Sequence, residues 1–170
     1  YAIGVIGFAR ILRAGGLLVS QPQSATVLQF DRGGILTATL GGRGEGPGEF
    51  RSPVSAGESG DSVWVFDNVL HRISVFRPSG RPVRDMKVPM RAGPAQSAGI
   101  GSSGSLYLWT AFQAAAGPAR GLLREDPSGG ADTPILTIPP DDCQSTLERG
   151  VAFALPYCTR PLWAQSTDSK

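Results

Sequence analysis

A block of apolar residues and glycines returns 46 positions downstream: Leu17, Leu18, Val19, Val27, Phe30 and Gly34 are answered by Val63, Trp64, Val65, Ile73, Phe76 and Gly80. A looser third copy follows at Leu106, Tyr107, Leu108 and Gly129. A unit of this length built from short strands cannot bury both its faces alone, and it gains a dry core only by stacking on neighbours. The run Val63-Trp64-Val65-Phe66 is apolar at every position. A sheet with one wet face would alternate, so both faces of this strand are expected to be covered.

Brief runs rich in Val, Ile, Phe, Trp and Tyr alternate with clusters of Gly, Pro, Ser and Asp, which predicts four short strands per unit. In the second unit they fall at 54–58, 62–66, 72–76 and 82–88, and in the first the later three fall at 16–20, 25–30 and 35–40. The third unit has strands at 104–109, 121–126 and 134–138. Its middle turn is stretched over 110–120, where 111–116 would form one helical turn or an apolar lip. A non-repeating stretch at 139–160 carries both cysteines, and 161–164 resembles the first strand of a fourth unit.

The expected fold is therefore all-β: a partial β-propeller of four-stranded antiparallel blades, about three blades plus the start of a fourth. It forms one domain over 1–170, with units at about 8–40, 54–88 and 96–138, an insert at 139–160 and an incomplete unit at 161–170. Propellers close with roughly four to eight blades. Three units and a remnant read as a fragment of a longer protein.

Net charge is +2, from 16 basic and 14 acidic residues, and no basic block tracks a phosphate backbone. Nucleic acid is not an expected partner. No apolar run reaches the eighteen or so residues that span a bilayer, and the stretch 2–12 is short and broken by Arg10. The glycine-rich stretch 41–48 contains no Gly-x-Gly-x-x-Gly and is followed by no Gly-Lys-Ser/Thr, and no Gly-x-Ser-x-Gly occurs in the chain. His71 is the single histidine, so a multi-histidine zinc site within this chain is excluded and a Ser-His-Asp triad would have to rest on it. Asp141 and Asp142 lack the EF-hand pattern around them. No metal and no cofactor are expected. Cys143 and Cys158 are fifteen apart in one insert. A bridge closing that span would contribute on the order of 3 kcal/mol in an oxidising compartment, and the alternative is a pair of free thiols in a cytosolic protein. The disulfide is the favoured reading, and with it a periplasmic or secreted location.

Two stretches carry a family likeness. Gly44-Glu45-Gly46-Pro47-Gly48-Glu49-Phe50 with Pro53 is similar to the glycine-rich lead-in of the NHL repeat. Val63-Trp64-Val65-Phe66-Asp67-Asn68, His71-Arg72-Ile73-Ser74-Val75-Phe76 and Gly80 are similar to its aromatic-Val-x-Asp, Asn-His-Arg-Ile-x-Val-Phe and terminal Gly pattern. The second unit thus resembles the NHL repeat and the related six-bladed β-propeller domains of bacteria. The first and third units lack the Asp and Arg-Ile positions, and Val69 and Leu70 separate Asn68 from His71.

Asp67 and Arg72 are expected to stabilise the turn between them, by pairing across it or, for Asp67, by bonding nearby backbone amides. Phe50, Trp64, Ile73 and Phe76 read as core. With four antiparallel strands per blade, each turn between the second and third strands opens on the same end as the connections between blades. That end collects 41–53, 67–71, 110–120 and 139–160, with Arg43, Glu45, Glu49, Arg51, His71 and Arg149 as its charged or titratable groups. The expected function is a non-catalytic scaffold that binds a protein, peptide or small ligand there. The resemblance also implies an alternative, a propeller lyase or lactonase whose metal site lies mostly outside this chain, since the inner strands offer mainly Glu58 and Gln96.

Overall fold

The structure is a computed structural model, and it describes residues 4–88, 97–101, 104–115, 117–126, 131–138, 144–146 and 152–154. Strands and turns account for its regular structure, and no helix occurs among the described residues. Strands β1 (Ala9–Ile11), β2 (Leu17–Gln21), β3 (Thr26–Phe30) and β4 (Leu36–Gly41) form the first four-stranded sheet, in sequential order. The second sheet is β5 (Pro53–Ser59), β6 (Ser62–Asp67), β7 (Arg72–Phe76) and β8 (Pro82–Lys87), and the third is β9 (Ser97–Ile100), β10 (Leu106–Ala114), β11 (Gly117–Arg124) and β12 (Thr133–Ile138). Every pairing within these sheets is antiparallel.

The 46-residue spacing is realised residue for residue in the first two blades. Leu17 pairs with Phe30 as Val63 pairs with Phe76, and the β3–β4 irregularity at Gln29/Phe30 recurs in β7–β8 at Val75/Phe76. Ala25 (φ 52°) and His71 (φ 47°) take the same left-handed conformation at equivalent corners. Gly34 and Gly80 close the β3–β4 and β7–β8 turns at φ 79° and 82°, each donating its N–H three residues back, to Asp31 and Arg77. That backbone conformation favours glycine.

Stacking supplies the core. The side chains of Leu18, Val27 and Leu40 on one face of the first blade bury Val63, Val65 and Phe76 of the second, with Phe50 of the intervening connection between them. Trp64, Phe66, Ile73 and Val75, on the opposite face of the second blade, pack on Ala98, Ile100, Leu106 and Leu108 of the third. The middle blade is thus covered on both sides, which is why 63–66 never alternates. Each such aliphatic or aromatic side chain contributes about 1.5–3 kcal/mol when fully buried. Polar bonds cross the same interfaces: Ser20 Oγ to the Pro53 carbonyl at 3.3 Å, Ser55 Oγ to the Ala98 carbonyl at 2.8 Å, and the Arg13 N–H to Glu58 Oε2 at 2.7 Å.

One expectation is corrected. The stretched turn of the third unit is neither a helical turn nor a loop: β10 and β11 continue as a hairpin, with pairs from Thr110↔Gly121 to Ala114↔Gly117. No glycine, proline or charge interrupts 110–116, so the ladder extends until Gly117, at φ 119°, turns the chain. The stretch 139–160 also holds a two-stranded antiparallel pair, β13 (Gln144–Thr146) with β14 (Ala152–Ala154). Cys143, Cys158, Arg149, Gln96 and the fourth unit at 161–170 lie outside the described residues.

Candidate functional site

The connection 42–52 crosses the end of the stack where the β2–β3 and β6–β7 turns also open. Its own backbone closes a small loop: the Gly44 N–H donates to the Phe50 carbonyl at 3.0 Å and the Phe50 N–H to the Gly42 carbonyl at 2.7 Å. Glu49 Oε2 accepts the Gly46 N–H at 2.8 Å, so Glu49 spends one oxygen inside the loop. Phe50 is the anchor, fully buried, with its ring 5.8 Å from that of Phe76 and tilted by 59°. The Phe50 ring lies where a Cβ on Gly41 would sit, and Gly41 holds φ 78°. Only glycine fits that approach.

Two side chains hold the loop to the second blade by sorting its backbone groups according to polarity. The carboxylate of Asp67, fully buried, accepts four amides: Arg51 N–H at 2.6 Å and Ser52 N–H at 2.7 Å on Oδ2, and Val69 N–H at 2.9 Å and Leu70 N–H at 2.8 Å on Oδ1. The guanidinium of Arg72 donates to the carbonyls of Glu45 at 3.0 Å, Gly46 at 2.9 Å and Glu49 at 2.7 Å. It also pairs with Asp85 at 3.4 Å, with both side chains largely shielded. Asp67 and Arg72 stand directly opposite in the β6–β7 register, yet they do not pair with each other. Of the two roles expected for Asp67, the bonding of nearby backbone amides is the one formed, and the ion pair across the turn is not, because the connection delivers N–H groups to the anion and carbonyls to the cation. Asp85 was not visible as Arg72's partner in the linear sequence. The register that sets Asp85 opposite Ser74, on the same face as Arg72, is what reveals it.

The remaining candidate residues divide into tied and open groups. Arg43 Nη2 donates to the Gln23 carbonyl at 2.8 Å and so straps the connection to the first blade's turn. Glu45 and Arg51 form an exposed pair at 3.3 Å, a kind worth about 0–1 kcal/mol. The His71 carbonyl accepts the Val88 N–H at 2.8 Å, joining the turn to the start of the next connection. Around this corner Asn68 Oδ1, His71 Nδ1 and Arg72 Nε are enclosed without a hydrogen-bond partner. Enclosed unsatisfied groups are uncommon, and three of the five among the described residues gather at this corner, the others being Gln29 Oε1 and Ser74 Oγ. Among the described residues, no group of three His, Cys, Asp or Glu side chains converges as a metal site.

Similarity to solved structures then decides the fold. The chain matches a candidate exported protein of Bacteroides fragilis with a TM-score of 0.53 at 14% identity, over 70% of this chain and 35% of that one. It matches an inactive variant of virginiamycin B lyase from Staphylococcus aureus, solved with quinupristin, with a TM-score of 0.50 at 15% identity, over 76% of this chain and 41% of that one. The fold is a partial β-propeller. At these identities the likeness concerns the fold alone, and the chain spans well under half the length of either protein. No family model matches the sequence, and no curated protein matches it. No helix among the described residues of this propeller is long and apolar enough to cross a membrane.

Proposed function

We propose that this propeller segment is a non-catalytic binding scaffold whose ligand, a protein, peptide or small molecule, meets the end built from 42–52 and 68–71. The reading rests on one contrast at that end: the connection is immobilised by Asp67 and Arg72, while Asn68, His71 and Arg72 keep enclosed polar atoms unpaired beside it. A rigid loop with unspent hydrogen-bonding capacity is pre-organised for recognition, because little conformational entropy is lost on binding. Arg51, Glu45 and the outer face of Arg43 supply the exposed charge around it. Exposure to an extracytoplasmic compartment belongs to the same proposal and is supported by the exported-protein neighbour.

Amide chemical-shift mapping with a panel of short peptides, sugars and carboxylic acids tests the reading. Shifts are expected at 42–52 and 68–71. Shifts confined to the opposite end, at 12–16, 31–35, 59–62 and 77–81, would sink it, as would turnover of lactone, ester or amidated-peptide substrates by the purified protein.

A further inference from the structure

Each sheet is ordered from the inside of the stack outward. β5 lies beside β2 and β9 of the adjoining blades, and β8 stands at the far end of the same sheet, paired only with β7. Blades cover one another on their faces, so a further blade would leave this outer edge open. The Val88 N–H turns inward to the His71 carbonyl. Antiparallel alternation then turns the N–H and carbonyl groups of Asp85 and Lys87 outward, away from β7. Pro82, Val83, Arg84 and Lys87 are exposed on this strand.

The three outer strands differ in charge. β4 and β12 carry no charged residue, whereas β8 carries Arg84, Asp85 and Lys87, and Arg77 and Arg81 close the turn that leads into it. Asp85 is committed to Arg72. Arg77, Arg81, Arg84 and Lys87 are exposed, and among the described residues none of the four has an ion-pair partner. Cations on a free edge can serve to keep other strands away. That duty would fall on all three outer edges alike, and two of them go without. The blade itself does not require the cations either, since the first blade builds its outer strand around Thr37, Ala38 and Thr39. We propose that β8 is a docking edge for an acidic, extended segment of a partner protein, which adds as a further strand and sets its carboxylates against Arg84 and Lys87. These two cations stand on opposite faces of the sheet, Arg84 with Met86 and Lys87 with Asp85. The partner segment therefore carries its acidic residues at an odd spacing, as in a repeat of Glu-Thr-Val.

Fluorescence anisotropy of the 170-residue chain with a short labelled peptide repeating Glu-Thr-Val tests this. A Lys-Thr-Val peptide and an alternately N-methylated Glu-Thr-Val peptide are the controls. The acidic peptide is expected to bind and to shift the amides of 82–87, and the lysine peptide is expected not to bind. Arg84→Gln combined with Lys87→Gln should weaken binding by about fivefold or more. N-methylation, which removes the donors that meet the outward carbonyls of Asp85 and Lys87, should weaken it by about tenfold. A thermal midpoint close to that of the unmodified chain checks that the double variant stays folded, and the peptide controls test the proposal without it. Equal binding of the acidic and lysine peptides overturns the proposal, as does a folded double variant that binds as tightly as the unmodified chain. So does an N-methylated peptide that loses nothing, because charge alone would then hold it. Failure of the acidic peptide to bind overturns it too, and aggregation of the double variant in that case would mark the cations as guards of the edge.

Discussion

The first and second blades share a backbone and differ at one rim. Residues 21–26 and 67–72 follow the same path down to the left-handed corner, Ala25 in one and His71 in the other. The chemistry at equivalent positions is unrelated: Gln21 stands where Asp67 does, and Thr26 where Arg72 does. In the first blade the turn is closed locally, by the Ser24 N–H to the Gln21 carbonyl and the Ser24–Thr26 hydroxyl contact at 2.7 Å. In the second, Asp67 and Arg72 reach out to bond five residues of the connection, Glu45, Gly46, Glu49, Arg51 and Ser52. The apolar pattern builds the blade, and the rim is decorated separately on top of it.

The sharpest way to break this comparison is to remove the anion. Asp67→Ala strands four amides, and with roughly 1–3 kcal/mol per unsatisfied buried group and partial rescue by water, stability to urea should fall by about 3–5 kcal/mol. Gln21→Ala at the equivalent site should cost about 1 kcal/mol or less. Equal losses would mean that the clamp contributes nothing special. Replacing the cation comes next. Arg72→Lys keeps the charge but cannot span three carbonyls and Asp85, so a loss of about 2–3 kcal/mol is expected, against roughly 0.5 kcal/mol for Thr26→Val.

The turn glycines sharpen the comparison at smaller scale. Gly34→Ala and Gly80→Ala both force a side chain into positive φ and should each cost about 1 kcal/mol. Gly80→Ala should cost more, because only that site presses on the neighbouring blade. Thermal midpoints measured side by side decide the order. Least affected of all should be Arg51→Ala, within about 0.5 kcal/mol, since its partner Glu45 is 68% exposed.

The strands of the first two blades were legible because the same apolar positions recur at a fixed offset, so each copy checks the other. The third blade lacks that check. Five of the eleven residues at 110–120 are alanine and two more are Gly117 and Pro118, all types with little strand preference, and only the cross-strand register shows it to be a hairpin. At the rim, Asp67 was recognisable as a turn residue, but the identity of its partners was not. Arg51 and Ser52 reach it through the path of the connection, a tertiary fact absent from local spacing. The unpaired atoms of Asn68 and His71 belong to the same class of information: residue type announces a polar turn, and only packing shows which atoms are enclosed.

Native-state hydrogen exchange tests most directly whether these blades are dry only because neighbours press on both faces. The amides of β6 and β7 should be the slowest in the chain and exchange only through global unfolding, well behind those of β1 and β12. Exchange in β6 and β7 as fast as in β1 would contradict the account.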